Sequence, residues 1–299
     1  MKKRFLVVVV HALLIVSLLL LFAAGCAGNK DTDTDEPDTT QAPAIPPQST
    51  FVMDFSDFTE NSTAGSTGML AISAVGQDGP GSATANALVD RSNWNYASWN
   101  VGFWNLVGTL GLAIPVSAFV ESLKQNPVKQ PDNSWVWTYS VTVQFVTYTA
   151  ELHGKYIDDG VRWDMYISKQ NGFEDYPWYC GESDFGGTEG FWVLKAEQAK
   201  GTDLLQIDWH RDPARGTGDI TYTNIVPGGP ENGGFISFVM TDDEPYDRSY
   251  TIFNKSGNQT TYIEWDSTTK AGRVKDSKHF SDEIWHCWDA TLVNAACAE

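Results

Sequence analysis

The histidines and carboxylates near the end of the chain are the first residues whose spacing suggests chemistry. His279, Asp282 and His286, in the stretch "HFSDEIWHCWD", have the i, i+3, i+7 spacing of one face of a helix. Two histidines and one carboxylate make a thin ligand set, so we predict no metal site and no cofactor. His153 and His210 lie within alternating strand patterns beside polar neighbours, and we expect both to face solvent.

The cysteines of the same region favour a structural role over a catalytic one. Cys287 follows His286 directly, but a thiol nucleophile needs a separately oriented base, and neighbours in a chain rarely point together. In an exported protein a free thiol also tends to oxidise. A Cys287–Cys297 disulfide costs the least loop entropy, whereas a Cys180–Cys287 disulfide stays open as the alternative.

The acidic residues do not single out a catalytic pair. Those at positions 242–244 and 247 surround Pro245, and a turn accounts for them better than a calcium site, which needs a spaced series of ligands. The chain contains no G-x-S-x-G, H-E-x-x-H, phosphate-binding glycine loop or dinucleotide-binding fingerprint. A hydrolase that uses two carboxylates stays open, because 38 acidic residues always offer pairs.

The first residues follow the order expected of a secretory signal. Residues 1–4 are basic, residues 5–24 are almost wholly apolar, and Ala-Ala-Gly precedes Cys26. Small residues followed by cysteine resemble a bacterial lipobox, in which the cysteine is acylated and becomes the new N-terminus. We predict a lipoprotein signal peptide over residues 1–25 and lipidation of Cys26, with a plain signal peptide or an uncleaved anchor as alternatives.

Residues 26–50 are predicted to be the lipidated cysteine and a disordered tether. This tract has five acids, four prolines and no aromatic residue, so it cannot bury enough apolar surface to order itself. In enterobacterial lipoproteins an aspartate after the cysteine resembles an inner-membrane retention signal. Because Ala27 stands here, we expect a bacterial cell envelope protein of the outer membrane, with the lipid bilayer as its partner.

The charge of the chain argues against nucleic acid as a partner. The net charge is −18, and the first 26 residues hold three of the 20 basic side chains but none of the 38 acidic ones. The part after Cys26 is therefore more acidic still, and it repels phosphate backbones and anionic lipid headgroups. Acyl chains, rather than surface charge, must hold the protein at a membrane.

Residues 51–299 are predicted to form a single β-rich domain. The stretch "WVWTYSVTVQFV", which begins at Trp135, alternates aromatic or apolar residues with a second set that is mostly polar. Nine further segments of this type follow, separated by short turns rich in glycine, aspartate and asparagine. Residues 135–275 therefore predict an up-and-down antiparallel meander that forms a barrel or half-barrel, and residues 276–299 a C-terminal tail.

A different pattern precedes the strands, over residues 83–127. Apolar residues at helical spacing follow Pro115, which suits the first turn of a helix. Residues 92–120 carry no charge, but their asparagine, serine, glycine and proline content favours a helical lid or plug over a transmembrane span. The stretch "FVMDFSDF", which begins at Phe51, is predicted to be a separate first strand.

Aromatic residues make up 13% of the chain and mark the candidate binding site. Trp and Tyr line ligand cavities as well as cores, because each combines a large apolar ring with a polar group. One face of the first long strand and a tryptophan of its partner strand are predicted to line an apolar cavity: Trp135, Trp137, Tyr139, Phe145 and Trp163. A packed core formed by the same residues is the alternative.

A curved antiparallel meander with a helical lid, in an exported lipoprotein, is similar to the outer-membrane lipoprotein carrier and receptor proteins. Those are half-barrels that hold acyl chains, and the resemblance covers architecture without a specific motif. "VRWDMYIS", "WYCGESDFGGTEGFWVL" and "GRVKDSKHFSDEIWHCWD" resemble segments of uncharacterised bacterial lipoproteins with the same strand order. The first resemblance implies lipid binding, and the second implies no function.

We therefore expect a membrane-anchored, non-enzymatic envelope lipoprotein that binds a lipid or another apolar ligand in its barrel or half-barrel. The first alternative is a surface-exposed module that binds a glycan or a protein through aromatic residues on the sheet. The second is a carboxylate-dependent hydrolase. The three require different structures: an apolar cavity, an aromatic binding surface, or two carboxylates that face each other across a cleft.

Replacing Cys26 with serine tests the anchor. Cys26→Ser removes the thiol that receives the acyl group, so we expect the protein to leave the membrane fraction or to stay as the unprocessed precursor. Palmitate labelling and cell fractionation measure this, with Cys297→Ser as the matched cysteine variant. Palmitate incorporation into Cys26→Ser equal to that of the wild type would contradict the lipoprotein prediction.

Overall fold

The computed structural model describes residues 40–59, 90–143, 145–196 and 201–297. Within these ranges lie a 3₁₀ helix and three α-helices: Gln48–Thr50, then α1 Ser56–Thr59, α2 Ser92–Ser122 and α3 Ser277–Phe280. The strands of the first half are β1 Val128–Lys129, β2 Trp135–Val143, β3 Val146–Ile157, β4 Gly160–Lys169, β5 Tyr176–Ser183, β6 Glu189–Lys195 and β7 Asp203–Asp212. Those of the second half are β8 Thr217–Asn224, β9 Phe235–Met240, β10 Arg248–Asn254, β11 Gln259–Trp265, β12 Gly272–Lys275, β13 His286–Trp288 and β14 Asn294–Ala295.

All the described strands belong to one antiparallel sheet, in which each strand pairs with its neighbours in the chain. The first and last of these strands pair on one side only, so the sheet is open and has the form of a half-barrel. This confirms the predicted fold class, a mainly β up-and-down meander. The ten predicted strands correspond to β2–β11.

One face of the sheet is apolar, because side chains alternate between the two faces along each strand. In β4, Trp163, Met165 and Ile167 are fully buried, whereas the intervening Arg162 and Asp164 are half-buried. We call the face that carries Trp163 the inner face and the face that carries Arg162 the outer face. The strand register carries this division across the sheet.

Short turns bring sequential strands side by side. Residues 158 and 159 connect β3 to β4, and Ile157 pairs with Gly160. A Cβ atom at Gly160 would lie 1.9 Å from the Ser183 carbonyl oxygen of β5. Glycine is required here because a third strand passes too close for any side chain.

Residues 48–59 cross the inner face and fill it with the chain's own side chains. The Phe51 ring stacks on Phe119 of α2 at 4.7 Å and lies 5.0 Å from the Tyr179 ring and 5.8 Å from the Trp192 ring. Phe51, Phe119 and Trp192 are fully buried. The inner face is therefore a packed core at this point.

The stretch that begins at Phe51 is not the separate strand predicted from its sequence. Its backbone bonds to tyrosine hydroxyls: the Met53 amide donates to the Tyr222 hydroxyl at 2.7 Å, and that hydroxyl donates to the Phe51 carbonyl at 3.0 Å. The Tyr250 hydroxyl donates to the Asp54 carbonyl. Side chains that satisfy main-chain groups allow an irregular segment to be buried on the inner face.

The long helix α2 packs on the inner face as the predicted lid or plug, through the buried Ala118 and Phe119 among others. It spans Ser92–Ser122, inside the predicted segment. Pro115 lies within the helix, so the prediction that it begins a helix is wrong. Proline removes one helical hydrogen bond, and burial of the following turn against the sheet stabilises the helix beyond it.

None of the helices in the described ranges has both the length and the hydropathy that a membrane crossing requires. The transmembrane interpretation of residues 92–120 is therefore wrong. Although α2 has 31 residues, its asparagine, serine and glycine residues lower its hydropathy.

A buried carboxylate fastens the start of α2 to the sheet. Asp276 is 1% exposed and accepts hydrogen bonds from the Tyr96 hydroxyl at 2.7 Å, the Thr261 hydroxyl at 2.5 Å and the Gln259 amide at 2.8 Å. Burial opposes ionisation, but these bonds outweigh it and lower the pKa of Asp276. Burial and the neighbouring carboxylate raise the pKa of Tyr96 to about 12. Donors from α2 and β11 therefore converge on one charged acceptor.

Residues 40–50 pack on the sheet, although they belong to the predicted tether. Pro43 and Thr50 are buried, and Pro43 lies beside Gly154 together with the rings of Trp137 and Trp163. The packed chain therefore begins before the predicted boundary at residue 51. The predicted signal peptide, Cys26 and the first part of the tether lie outside the described residues.

Cys287 and Cys297 form the predicted disulfide, with an S–S distance of 2.09 Å and Cα atoms 5.2 Å apart. The alternative pairing of Cys180 with Cys287 is therefore wrong. Beyond β12, β13 and β14 continue the antiparallel sheet. The predicted C-terminal tail is thus part of the sheet as far as residue 295, and the disulfide ties residue 297 back to β13.

Replacing Trp137 with alanine measures how tightly the inner face is packed. Trp137 is 3% exposed and its ring lies 5.8 Å from that of Trp163, so Trp137→Ala should lower the free energy of unfolding by about 3–5 kcal/mol. Phe145→Ala is the matched aromatic control, because Phe145 is fully exposed and its loss should change stability by less than about 0.5 kcal/mol. Urea denaturation gives both values. A cost for Trp137→Ala no larger than that for Phe145→Ala would show that Trp137 borders open space.

Candidate functional site

Four of the five residues predicted to line a cavity lie in or beside the core of the inner face. Trp137, Tyr139 and Trp163 are buried, and Trp135 is half-buried. A Cβ atom at Gly154 would lie 2.7 Å from the Trp163 ring and 3.1 Å from the Trp137 ring, so both rings pack on the backbone of β3. Their role in binding an apolar ligand stays a prediction.

Phe145 is not on the same face as the other four, which corrects the predicted alternation. The pairing of β2 with β3 closes at Val143 and Val146, so Phe145 lies in the connecting turn. It has a φ of 65° and is fully exposed. A period-2 pattern holds only while the strand continues, and the hairpin ends it before Phe145.

Two pockets in the described part of the chain are lined by none of those five residues. The larger, about 560 Å³, is an open depression along residues 48–56. The smaller, about 260 Å³, lies on the outer face, and we call it the outer pocket. It is lined by residues 243–249 together with Val239, Thr241, Glu264 and Arg273.

The floor of the outer pocket comes from four consecutive strands. Val239 of β9 pairs with Ser249 of β10, Ser249 with Glu264 of β11, and Glu264 with Arg273 of β12. Each alternates with buried inner-face residues and therefore faces outward. The turn between β9 and β10 supplies the rest of the lining and contains a cis peptide bond before Pro245.

Arg273 is held by a carboxylate and two aromatic rings. Its Nε donates to the Glu264 carboxylate at 2.8 Å. Its guanidinium lies 4.8 Å from the centroid of the Tyr246 ring and 4.2 Å from that of Trp285. Lys275 also lies over Trp285, 5.2 Å from the ring centroid. The ion pair and the cation–π contacts fix the guanidinium and join these side chains into one cluster.

Hydrogen bonds from the connection between β11 and β12 hold the turn of the outer pocket. Asp247 accepts from the Ser267 amide at 2.8 Å and the Ser267 hydroxyl at 2.6 Å, and also from Arg248 at 2.9 Å. Burial of the carboxylate opposes ionisation, but the bonds from Ser267 outweigh it and lower the pKa of Asp247. Asp247 thus positions the residues that precede it in the turn.

The outer pocket has acceptors that remain available to a ligand. Asp243 and Glu244 are exposed, and their carboxylates accept no hydrogen bond from any residue in the described ranges. The lining as a whole carries four carboxylates and two guanidinium groups, so it disfavours an anionic ligand. Carboxylate acceptors, guanidinium donors and aromatic rings together suit a ligand rich in hydroxyl groups.

The histidines near the end of the chain are engaged in stacking. The His279 ring stacks on Tyr96 at 3.6 Å, and the His286 ring stacks on Phe280 at 3.7 Å. Because α3 ends at Phe280, the helical face predicted to join His279, Asp282 and His286 does not form. His286 instead contacts Asp282 at 3.1 Å. No group of three potential metal ligands is found among the residues that the structure describes.

His153 and His210 lie on the outer face, as predicted, each near a carboxylate. His210 lies 3.6 Å from Asp219 of the next strand. Burial raises the pKa of Asp219 and also that of Asp208, which faces outward on β7. Neither carboxylate lines one of the two pockets described above, and the carboxylate-dependent hydrolase stays a prediction.

The sequence indicates the turn of the outer pocket but not the residues that meet it. Acidic residues around Pro245 mark a turn, whereas Glu264, Arg273 and Trp285 come from later elements. Glu264 and Arg273 share an outward position on neighbouring strands, which can be recognised only once the register is known. Trp285 lies outside the strands, directly before β13. The cluster around Arg273 is therefore not predicted by the sequence.

The fold and the outer pocket define a class of protein: an open antiparallel meander, filled on its inner face, with a polar and aromatic pocket on its outer face. Comparison with protein-family models, with curated proteins and with solved structures found no match. The resemblance to outer-membrane lipoprotein carrier and receptor proteins therefore stays a prediction.

Measurement of stability against pH tests the role of Asp247. Its pKa is lower in the folded protein than in the unfolded chain, so its contribution is present above about pH 4 and is lost as the pH falls through the folded value. Asp247→Asn should destabilise the protein at neutral pH, and its difference from the wild type should shrink as the solution is acidified. Asp243→Asn, which removes no hydrogen bond between described residues, is the control. Urea unfolding at each pH is the measurement, and a difference that does not change with pH would contradict this role.

Proposed function

We propose that this protein is a membrane-anchored, non-enzymatic lipoprotein of the bacterial cell envelope whose outer pocket binds a neutral glycan. The observation that carries the proposal is that Tyr246, Glu264 and Arg273 line a pocket of about 260 Å³, while the Trp285 ring lies against Arg273 beside it. Aromatic rings, a carboxylate and a guanidinium converge there on one surface. Binding of a lipid or another apolar ligand is the second candidate.

A sugar matches each kind of group in the outer pocket. Its hydroxyls can donate to the free carboxylates of Asp243 and Glu244 and can accept from the guanidinium groups of Arg248 and Arg273. Hydrogen bonds to charged groups contribute about 1.5–3 kcal/mol, more than bonds between neutral groups. The C–H faces of a sugar ring also pack on aromatic rings such as Tyr246. An excess of carboxylates favours a neutral over an acidic sugar.

The packing of the inner face supports glycan binding over transport of an apolar ligand. Residues 48–59 and α2 occupy the surface where a half-barrel carrier would hold an acyl chain. A lipid at that place would have to displace Phe51 from its contacts with Phe119 and Trp192. We estimate the loss by analogy with large-to-small core substitutions, at about 3–5 kcal/mol.

The proposed anchor is compatible with a binding surface that faces away from the bilayer. Acyl groups on Cys26 would hold the chain at the outer membrane, and residues 27–39 lie between that cysteine and the packed chain. Thirteen residues can span about 45 Å when extended. The net charge of −18 opposes contact with anionic headgroups. A tethered domain of this kind suits capture of a glycan within the envelope or at its surface.

An array of neutral and acidic glycans tests the proposed function with the full-length protein in detergent. Trp285→Ala and Glu264→Gln should each lower binding at least ten-fold, because each removes a contact that holds the Arg273 guanidinium at the outer pocket. Trp99→Ala is the matched control, since Trp99 is 69% exposed and does not line the outer pocket. Melting temperatures show whether each variant remains folded.

The outcomes separate the candidate functions. Loss of binding in Trp285→Ala and Glu264→Gln, with folded variants and an unchanged Trp99→Ala, supports glycan binding at the outer pocket. A wild-type protein that binds no glycan on the array contradicts it, and so does binding that both pocket variants retain. Saturable uptake of a fatty acid by the wild type, weakened in Trp137→Ala, would instead favour the apolar-ligand function.

A further inference from the structure

A second row of outward side chains runs beside the row that forms the floor of the outer pocket. It crosses the strands from β6 to β11, and each member pairs in register with the next: Phe191, Asp208, Thr221, Ser237, Thr251 and Tyr262. The two rows lie two residues apart along each strand, so they are neighbours on the outer face. Any ligand that leaves the pocket in this direction meets the second row.

The centre of this row is made of hydroxyl groups. We call Thr221, Ser237 and Thr251 the hydroxyl strip. The Thr221 and Ser237 hydroxyls are 2.8 Å apart, and all three residues are half-buried. The Thr251 hydroxyl has no hydrogen-bond partner in the described ranges, and neither has that of Ser249, which lines the outer pocket. Unused donors and acceptors therefore continue along β10 from the pocket into the strip.

Aromatic side chains stand around the hydroxyl strip. Phe191 and Tyr262 are at its two ends, and Tyr262 is 41% exposed. Five strand spacings of about 4.8 Å separate them, which amounts to about 24 Å. Phe235 and Phe253, with ring centroids 5.7 Å apart, flank the strip on the side away from the pocket. Rings at such intervals can pack on successive sugar units.

Acidic side chains lie beside the hydroxyl strip, as they do in the outer pocket. Asp208 and Asp219 lie at the end of the strip on β7 and β8, and burial raises the pKa of both carboxyls. The Gln206 amide donates to Asp208 at 2.7 Å, while His210 lies near Asp219. Lys275 lies over the Tyr262 ring at the other end of the row, 5.1 Å from its centroid. The carboxylates of the outer pocket and of β7 and β8 still disfavour an anionic chain at those two places.

We propose that the outer pocket and the hydroxyl strip form one elongated binding surface, so that the ligand is a linear neutral glycan of several sugar units. This inference rests on the proposed function and names the class of glycan. A single sugar needs only the pocket, whereas a chain that crosses the strands uses the free hydroxyl of Thr251 and reaches Phe191. Small side chains along the strip leave room for such a chain between the flanking aromatic rings.

Calorimetric titration with sugars of increasing length tests this inference. The probes are xylose, glucose and N-acetylglucosamine, each with its β-1,4-linked trimer and hexamer, and the protein is the full chain in detergent. For a series that binds, we expect the hexamer to bind at least ten-fold more tightly than the single sugar. Thr251→Val and Phe191→Ala should weaken binding of the hexamer several-fold and leave binding of the single sugar unchanged. Thr142→Val, an exposed outer-face position on β2, is the matched control.

Each outcome decides between the extended surface and the pocket alone. The elongated surface is supported if affinity rises with the length of the sugar, and if Thr251→Val and Phe191→Ala reduce that rise. Trp285→Ala should then weaken the binding of sugars of every length. Equal affinity for all lengths, or strip variants that bind the hexamer like the wild type, overturns it and leaves glycan binding at the pocket intact. No binding of any probe by the wild type overturns both proposals. Circular dichroism of each variant excludes loss of the fold as the cause.

Discussion

A curved sheet of this size must cover its apolar inner face, and the chain covers it with its own residues. The stack of Phe51 on Phe119, set against Tyr179 and Trp192, joins the N-terminal segment, the long helix and two neighbouring strands at one point. This contact gives the sheet the second layer that a stable domain requires. Because the inner face is occupied, the glycan-binding site that we propose lies on the outer face.

The proposed binding site on the outer face includes side chains that stand on paired strands. Glu264 and Arg273 are register partners, and the cation–π contacts of the Arg273 guanidinium with Tyr246 and Trp285 restrict its orientation further. The turn beside them is tied down through Asp247 and its bonds to Ser267. A site built this way is organised before its ligand arrives, which lowers the entropy cost of binding.

Strand periodicity is a local property, and this is why the meander could be predicted. The alternating pattern around Trp163 and the strand segments predicted from Trp135 onward correspond to observed strands. The failures occur where distant contacts override local pattern. Tyrosine hydroxyls from β8 and β10 hold the stretch after Phe51 away from strand pairing, and Pro115 stays helical under tertiary packing. The outer pocket depends on register between strands, which no single segment contains.

The path of the N-terminal segment also governs the order in which the chain folds. The Trp265 indole donates to Asp57 at 2.8 Å across 208 positions of sequence. Contacts of such long range form late, because the entropy of closing the loop must be overcome before they contribute. Residues 48–59 are synthesised early, but they can dock only after β10 and β11 have formed. Until then the sheet carries an uncovered apolar face, and that interval is when the chain is most exposed to aggregation.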